Sequence, residues 1–590
     1  FSQNKPEIRL ERAVYLFGHY SPALTWLKYR TPLQLPPDRG EGQEEGKPPV
    51  QIPPEGEKSG EEGKPPLQLT PEGDESGEES EAPVQLAPEG EQSEEERGAQ
   101  KRWFQARWVE WVIILVAVTL YCAGILDLRA ETRLPGNETE IFQILDWTLV
   151  NSLREYGKFP LWNPYIQTGV PFIADPMLHV YNPVVTLPVL LFGVHAGFKL
   201  GIYFSFLIGA LGMWKLADTL GLSKPARIWT ALMFAFAGQP AARFFQGQYL
   251  FVLGFAYIPW ITTSLLQVAK VSSADKPEQF SLFTREVKKA AIAAAVALAL
   301  LFFSGNAYYQ LYMLLAIGLL MLVLLPRFRR RLPCVNLNLN LLKNYVIIGA
   351  LALGLIAIQL LPTAEFWPRL NKDTHLAGSH TLGQIFLDYT SKDISRPDAY
   401  NVLPAREEFY AYIGLTPFLA LGLLPWALWK RPRRPQLFFI LLVILTAVWI
   451  SLEKMPWRTA FSEADLFSQF RHLLRILFFG SFALIILAGT GLDTLWGAFA
   501  GMLHGNPRNN PASPGGQQVL RFSALAGMGI LGVFMLLGLL DVFNTNQAIL
   551  RTQEIHQPAF TVQDWVARYD TSDYYTRHMP NNAWQEATIS

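Results

Sequence analysis

Long apolar stretches dominate the chain after Trp108 and constrain its fold more than any other feature. Runs of 17 or more residues without a central charge recur through most of this region, and about 20 apolar residues in a helix cross a hydrocarbon core of about 30 Å. The 590 residues are 50% hydrophobic and 17% charged, which fits a large multidomain protein or a polytopic membrane protein. The long apolar runs favour the membrane protein, and we predict an all-α polytopic membrane protein.

The apolar runs predict about eleven transmembrane helices. The apolar residues from Ala290 to Leu325 would make a single helix of about 54 Å, so Ser304-Gly305-Asn306 is predicted to divide them into two crossings. The predicted crossings are residues 109–126, 196–217, 225–239, 249–269, 288–303, 308–325, 342–362, 411–429, 436–452, 474–496 and 521–543.

Positive charge alternates from loop to loop and predicts the orientation of the chain. Every second gap between crossings is basic, as in the gaps that contain Lys270 and Arg327, and short cytoplasmic loops carry an excess of Lys and Arg. The N-terminus is therefore predicted to be cytoplasmic and the segment 544–590 extracytoplasmic. Residues 127–195 and 363–410 then form two large outer loops around the membrane domain, 109–543.

Residues 1–108 form a tail of different composition. Between residues 31 and 97, the phrase Pro-(Leu/Val)-Gln-(Leu/Ile) recurs every 17 residues, with Glu, Gly, Ser and Lys between the copies. Such a sequence buries too little apolar surface to offset the entropy of ordering. It predicts a largely disordered cytoplasmic tether, and docking of a protein partner is the alternative. The chain starts at Phe1 and not at a Met, so we expect a fragment of a longer protein.

The first outer loop has the pattern of an amphipathic helix that lies on the membrane surface. Apolar residues follow helical spacing between residues 137 and 156, and Gly157 supplies a stop signal. Asn137 and Glu140 resemble a capping box, and Glu138 suits the positive end of the helix dipole. A role in starting the helix and a catalytic role therefore both stay open for Glu138 and Glu140. Asp146, in mid-helix, is expected on the solvated face.

Other ionisable groups near the outer boundary are candidates for chemistry. Asp175 and His179 can form an acid/base or metal pair, or an Asx turn beside a hydrogen-bonded histidine. Arg471 and Arg475, four residues apart, suit a phosphate because guanidinium groups make bidentate contacts; lipid headgroups are the alternative ligand. Lys199, near the end of a crossing, is expected to reach the interface by snorkelling.

Residues 159–176 have a distinctive order of aromatic residues and prolines. The run Phe-Pro-Leu-Trp-Asn-Pro-Tyr-Ile, followed by Gly-Val-Pro-Phe-Ile-Ala-Asp-Pro, resembles the first extracytoplasmic loop of the bacterial YfhO-type membrane proteins in the GT-C glycosyltransferase superfamily. The segments Gln-Leu-Leu-Pro-Thr-Ala-Glu from Gln359, Glu-Phe-Tyr-Ala-Tyr-Ile-Gly-Leu from Glu408, and Phe470-Arg471 with Arg475 agree in order and sidedness. The resemblance covers residues 109 to about 550.

This resemblance implies a membrane enzyme of the bacterial plasma (inner) membrane. It would transfer a sugar from a polyprenyl-phosphate donor to a glycan or lipid acceptor on the extracytoplasmic face. Such proteins frequently have Asp where this chain has Glu138 and Glu140, and many have His where it has Gln248. The implied roles are a base (Glu138 or Glu140), a group that orients the substrate or a divalent metal ion (Asp175 with His179), and a phosphate site (Arg471 with Arg475).

Two other functions stay open from the sequence. The chain could be a non-catalytic membrane subunit that keeps a GT-C-like fold, or a lipid or glycan transporter. Crossings that are almost free of ionisable groups argue against ion-coupled transport. The basic clusters follow membrane sidedness, so membrane lipids are expected as partners and nucleic acid is not. The sequence leaves the metal ligands unknown and requires no cofactor.

Overall fold

The computed structural model describes most of the membrane domain and parts of the loops predicted to lie outside. It describes residues 107–129, 132–136, 138–166, 169–272, 285–328, 335–369, 380–393, 408–430, 434–451, 470, 472–503 and 514–554. The predicted tether, Arg471 and the residues after 554 lie outside these ranges.

The described residues are mostly helical and also form three small antiparallel sheets of two strands each. The helices are α1 (107–121), α2 (Thr139–Tyr156), α3 (Pro183–Phe192), α4 (Val194–Thr219), α5 (Lys224–Ala235), α6 (Gly238–Gln246), α7 (Tyr249–Phe255), α8 (Ile258–Ser272), α9 (Arg285–Phe302), α10 (Ala307–Leu324), α11 (Leu339–Phe366), α12 (Leu382–Thr390), α13 (Thr416–Leu421), α14 (Leu424–Lys430), α15 (Arg434–Ile450), α16 (Leu477–Leu503) and α17 (Pro514–Gln547). The strands are β1 (Thr132–Arg133), β2 (Trp162–Asn163), β3 (Val170–Pro171), β4 (Pro326–Phe328), β5 (Val335–Leu337) and β6 (Gln553–Glu554), paired as β1·β6, β2·β3 and β4·β5.

Six helical segments of the described chain are long and apolar enough to cross a membrane. They are Val194–Thr219, Tyr249–Ser272, Ala307–Leu324, Leu339–Phe366, Leu473–Leu503 and Gln518–Gln547, and each overlaps one predicted crossing. The all-α membrane architecture is therefore confirmed, while the number eleven stays a prediction. The predicted break is also confirmed, because α9 ends at Phe302, α10 begins at Ala307, and Gly305 takes a positive φ of 71°.

Burial separates central from peripheral spans. The most apolar parts of Tyr249–Ser272 and Leu473–Leu503 are 94% buried, whereas those of Leu339–Phe366 and Gln518–Gln547 are only 22% buried. Small residues allow close packing around the central spans: a Cβ at Gly480 would lie 2.1 Å from the Tyr389 hydroxyl. The apolar faces of the peripheral spans suit a lipid environment.

Polar contacts at the two ends of α4 hold the start of α1 at one end and the start of the first loop at the other. At one end, Arg107 forms an ion pair with Asp218 at 2.8 Å. Toward the other end, the Lys199 ammonium donates to the Asp127 and Thr132 carbonyl oxygens, both at 2.7 Å. The two ends are about 28 Å apart along the helix. The snorkelling expectation for Lys199 was wrong, since its side chain is fully buried against the start of the first loop.

The predicted first-loop helix is confirmed as α2, which ends where Gly157 takes a left-handed conformation. Phe142, Leu145 and Leu149 are buried against the protein. Asp146 is buried as well, and the expectation that it lies on the solvated face was wrong. The physical reason is helical geometry: a residue four positions after Phe142 and three before Leu149 lies on the same face as both.

Candidate functional site

Two glycines bring the start of α2 against the turn before α7. Gly136 and Gly247 have positive φ values of 96° and 85°. A Cβ on Gly136 would lie 2.2 Å from the Gly247 nitrogen, and one on Gly247 would lie 3.1 Å from the Glu138 nitrogen. Larger residues would clash here, so the two backbones can meet this closely only through glycine. This contact fixes the backbone of Glu138.

Glu138 is the N-cap residue of α2, but its side chain does not cap the helix. Its Oε1 instead accepts a hydrogen bond of 3.4 Å from the Gln248 amide. The same amide lies 3.5 Å from Oε1 of Glu408. Gln248 therefore links the first loop to the segment that precedes α13.

Glu408 joins two arginines from distant parts of the chain. Arg475 donates to both carboxylate oxygens, through Nη2 at 2.7 Å and Nε at 3.2 Å. Arg243 lies 2.7 Å from Oε2 through Nη1 and also donates to Oε1 of Gln248 at 2.6 Å. Such bidentate, charge-assisted contacts fix both partners in orientation. We call Glu138, Arg243, Gln248, Glu408 and Arg475 the Arg475 cluster.

Aromatic rings form one wall of the Arg475 cluster. The guanidinium groups of Arg243 and Arg475 lie 4.9 Å and 5.0 Å from the ring centroid of Phe251, and Arg475 lies 4.4 Å from that of Tyr308. These distances are within the range of cation–π attraction. The rings hold the cations in place and exclude water from their flat faces.

The two carboxylates of the cluster differ in acidity. Burial raises the pKa of Glu138 above its usual range, and the nearby charge of Arg475 only partly opposes this effect. Burial would also raise the pKa of Glu408, but Arg243 and Arg475 together hold it well below the usual range. Carboxylates whose environments push their pKa values apart are typical of acid/base sites. Glu408 stays ionised here, whereas Glu138 can exchange a proton more readily.

His179 and Asp175 do not form the pair considered from the sequence. His179 Nε2 lies 3.1 Å from Oδ2 of Asp146, and both side chains are fully buried. Asp175 accepts a hydrogen bond of 2.8 Å from the Met177 nitrogen, which makes the Asx turn. Burial raises the pKa of Asp175. The ring centroid of Phe142 lies 6.2 Å from that of His179 and 6.1 Å from that of Tyr249, the residue that follows Gln248 in the chain.

The other predicted site residues are placed only in part. Glu140 lies in the first turn of α2, and Arg471 falls outside the described residues. Within the described ranges, no group of three or more His, Cys, Asp and Glu side chains could hold a metal ion.

Sequence reasoning missed three members of the Arg475 cluster as functional residues. Arg243 stood in a short gap between two apolar runs, and Glu408 and Gln248 were noted only through the family resemblance. A usable signal was the single arginine in an otherwise apolar stretch, because a buried charge near a membrane requires a partner.

Comparisons with known proteins find similar solved structures but no family. No protein-family model matches the chain, and no similar curated protein is found. The chain is similar to the arabinofuranosyltransferase AftD from Mycobacteria, with 16% sequence identity and a TM-score of 0.45 over 78% of this chain and 29% of that one. It is also similar to the oligosaccharyltransferase from Archaeoglobus fulgidus in the apo form, with 13% identity and a TM-score of 0.46 over 81% of this chain and 61% of that one.

The structure of the archaeal oligosaccharyltransferase AglB from Archaeoglobus fulgidus, in complex with an inhibitory peptide and a dolichol-phosphate, has 13% identity and a TM-score of 0.44 over 81% of this chain and 60% of that one. This chain spans less than two thirds of each of these proteins. All carry names of glycosyltransferases. At these TM-scores the similarity gives no information about activity. An activity has to be inferred from the side chains of the site.

Proposed function

We propose that the chain is a membrane glycosyltransferase of the GT-C type. It moves a sugar from a polyprenyl-phosphate-linked donor to a glycan or lipid acceptor on the extracytoplasmic face of a bacterial plasma membrane. The observation that carries this proposal is the Arg475 cluster, in which a carboxylate with a raised pKa lies beside two arginines at one end of a bundle of apolar helices.

Each part of the reaction has a candidate group in the cluster. Glu138 accepts the proton of the acceptor hydroxyl as the acceptor oxygen bonds to the anomeric carbon. The bond between that carbon and the phosphate oxygen breaks, and its electron pair leaves with the phosphate. Arg475, supported by Arg243, stabilises the charge on this leaving group through bidentate contacts. The amide of Gln248 orients Glu138.

Glu408 accepts bidentate contacts from the Arg475 guanidinium group. Its carboxylate presents two oxygens to the guanidinium group, as a phosphate would. We therefore propose that the donor phosphate takes over contacts with Arg475 that Glu408 now makes. The roles predicted for Arg471 as a second phosphate ligand, and for Asp175 and His179 in orienting the substrate, are retained as proposals.

A transfer assay with purified protein in liposomes tests this function. The probes are polyprenyl-phosphate-linked sugars with labelled sugar groups, offered with glycan and lipid acceptors. Glu138→Gln should reduce transfer by about 10²- to 10⁴-fold, as for loss of a general base. Glu140→Gln serves as the matched variant, because Glu140 is the other carboxylate considered as base. Unchanged transfer by Glu138→Gln would remove Glu138 from the mechanism.

One observation favours a second candidate, a non-catalytic membrane subunit. Arg243 and Arg475 are both paired with Glu408, so the cluster can also be a closed structural network. In that case the protein would copurify with a stoichiometric complex, bind no lipid phosphate, and show no transfer with any donor.

A further inference from the structure

The end of α2 and the turn after it expose large apolar side chains. We call residues 153–165 the loop tip. Tyr156, Leu161 and Trp162 are 70%, 67% and 54% exposed, and Tyr165 packs edge-to-face on exposed Trp147 at 4.7 Å. Contiguous exposed apolar surfaces mark interaction sites. The Arg475 cluster lies at the opposite end of α2, so the proposed chemistry does not account for this surface.

Ring contacts place the loop tip beside the end of a membrane span. Phe159 stacks on Tyr181 at 5.5 Å, and Tyr181 contacts Phe303 at 5.4 Å. Phe303 lies in the turn from which the span Ala307–Leu324 begins. The same turn touches the first loop at a second point, because a Cβ on Gly305 would lie 2.6 Å from the Met177 carbonyl oxygen. The loop tip thus lies beside the end of the span Ala307–Leu324.

The composition of the loop tip matches the boundary between lipid and water. Trp and Tyr concentrate at this boundary because each ring has an apolar body and a polar group. Exposed Arg154 and Lys158 outweigh the single exposed anion Glu155, so the same short stretch is net positive, which favours contact with lipid phosphates. We propose that the loop tip lies in the headgroup region of the outer leaflet, where membrane lipid is its partner. This proposal does not depend on the proposed transferase activity.

A glycan is the other class of ligand that exposed aromatic rings can bind. Sugar binding relies on flat ring faces, whereas this surface also exposes the aliphatic side chains of Leu153 and Leu161. Aliphatic side chains gain free energy from burial in the acyl boundary and have no face for stacking on a sugar. The mixture of aromatic and aliphatic side chains therefore favours lipid over a glycan as the partner of the loop tip.

Membrane docking at the loop tip would fix the distance between the Arg475 cluster and the bilayer. Helix α2 has 18 residues and is therefore about 27 Å long. The loop tip lies at its C-terminal end and Glu138 at its N-terminal end. A helix held at both ends keeps Glu138 at a constant position relative to the bilayer.

Depth-dependent fluorescence quenching tests the proposal on the full chain. An environment-sensitive fluorophore is attached to Leu161→Cys in a Cys334→Ser background that keeps the buried Cys122. The protein is reconstituted into phosphatidylcholine vesicles that contain nitroxide lipids, labelled either on the headgroup or near the end of the acyl chain. Leu355→Cys, which lies mid-span in α11 and is 48% exposed, gives the signal of a deep site. Ser76→Cys, in the predicted tether, gives the signal of an aqueous site.

The expected result is a loss of fluorescence at position 161 with headgroup nitroxides that is larger than the loss with acyl-chain nitroxides. Position 355 should show the reverse order and position 76 should show little loss with either lipid. Fluorescence at position 161 that matches position 76 would overturn the proposal. The same result together with a spectral shift on addition of oligosaccharide would identify a glycan surface instead.

Discussion

Arg475 donates hydrogen bonds to both carboxylate oxygens of Glu408, through Nη2 at 2.7 Å and Nε at 3.2 Å. The two residues are 67 positions apart and come from different segments of the chain, and both side chains are largely buried. Arg243 adds a third contact to the same carboxylate. Much of the behaviour expected of this protein follows from the charge balance at this pair.

Replacing Glu408 should destabilise the protein and create an anion site. Glu408→Gln leaves Arg243 and Arg475 without their buried counter-ion, and loss of one partner of a buried pair costs about 3–5 kcal/mol. The apparent melting temperature in detergent should fall, and added inorganic phosphate should recover part of the loss. The exposed substitution Glu155→Gln is the control. A melting temperature equal to that of the unmodified protein would show that Glu408 does not neutralise the two arginines.

The pH dependence of transfer should report Glu138. A base must be deprotonated to act, and burial raises the pKa of Glu138 above its usual range. Transfer should therefore decline as the pH falls, beginning above the value of about 4.3 that is ordinary for glutamate. The measurement is kcat/KM against pH. An acidic limb at or below the ordinary value would contradict the role of Glu138 as base.

The stability effect of Glu138 should have the opposite sign to that of Glu408. A raised pKa in the folded state means that the stabilising contribution exists at low pH and disappears as the pH rises through the folded pKa. Ionised Glu138 therefore opposes folding at neutral pH. Glu138→Gln should melt at the same or a higher temperature than the unmodified protein at pH about 7. A marked fall in melting temperature would mean that Glu138 is mainly a structural partner of Gln248.

The pair formed by Asp146 and His179 should hold α2 on the protein. Asp146→Leu leaves His179 Nε2 without its partner at 3.1 Å, and an unsatisfied buried polar group costs about 1–3 kcal/mol. Limited proteolysis within residues 139–166 should become faster, and the melting temperature should fall. Glu155→Leu, at an exposed position of the same helix, controls for the change of residue type. Equal cleavage rates in the two variants would exclude a role for the pair in anchoring α2.

Lys199 should anchor the start of the first loop. Its ammonium satisfies the carbonyl oxygens of Asp127 and Thr132 and also lies 2.8 Å from the Thr132 hydroxyl. Lys199→Met removes this donor and should increase hydrogen–deuterium exchange across residues 127–133. The exposed substitution Lys158→Met should leave the same peptide unchanged. Exchange that stays as slow as in the unmodified protein would show that β1·β6 pairing alone holds the segment.

Local patterns in the sequence predicted the features that depend on neighbouring residues. The division of the apolar run at Gly305 and the end of α2 at Gly157 were both predicted, because each glycine acts within its own turn. The six helices that are long and apolar enough to cross a membrane follow from length and composition in the same way.

Contacts between distant residues could not be read from the same patterns. Asp146 was assigned to solvent because it is charged, whereas its partner His179 lies 33 residues further along the chain. Arg243 and Glu408 are 165 residues apart. Periodicity gives the face on which a side chain lies, but it does not give the residue that meets it.

A structure of the protein with a bound polyprenyl-phosphate sugar tests the central claim most directly. The account predicts that a phosphate oxygen lies about 3 Å from the Arg475 guanidinium, that at least one contact between Arg475 and Glu408 is lost, and that the anomeric carbon faces Glu138. A phosphate bound elsewhere, with the bidentate Arg475–Glu408 pair intact, would contradict the assignment of the Arg475 cluster as the transfer site.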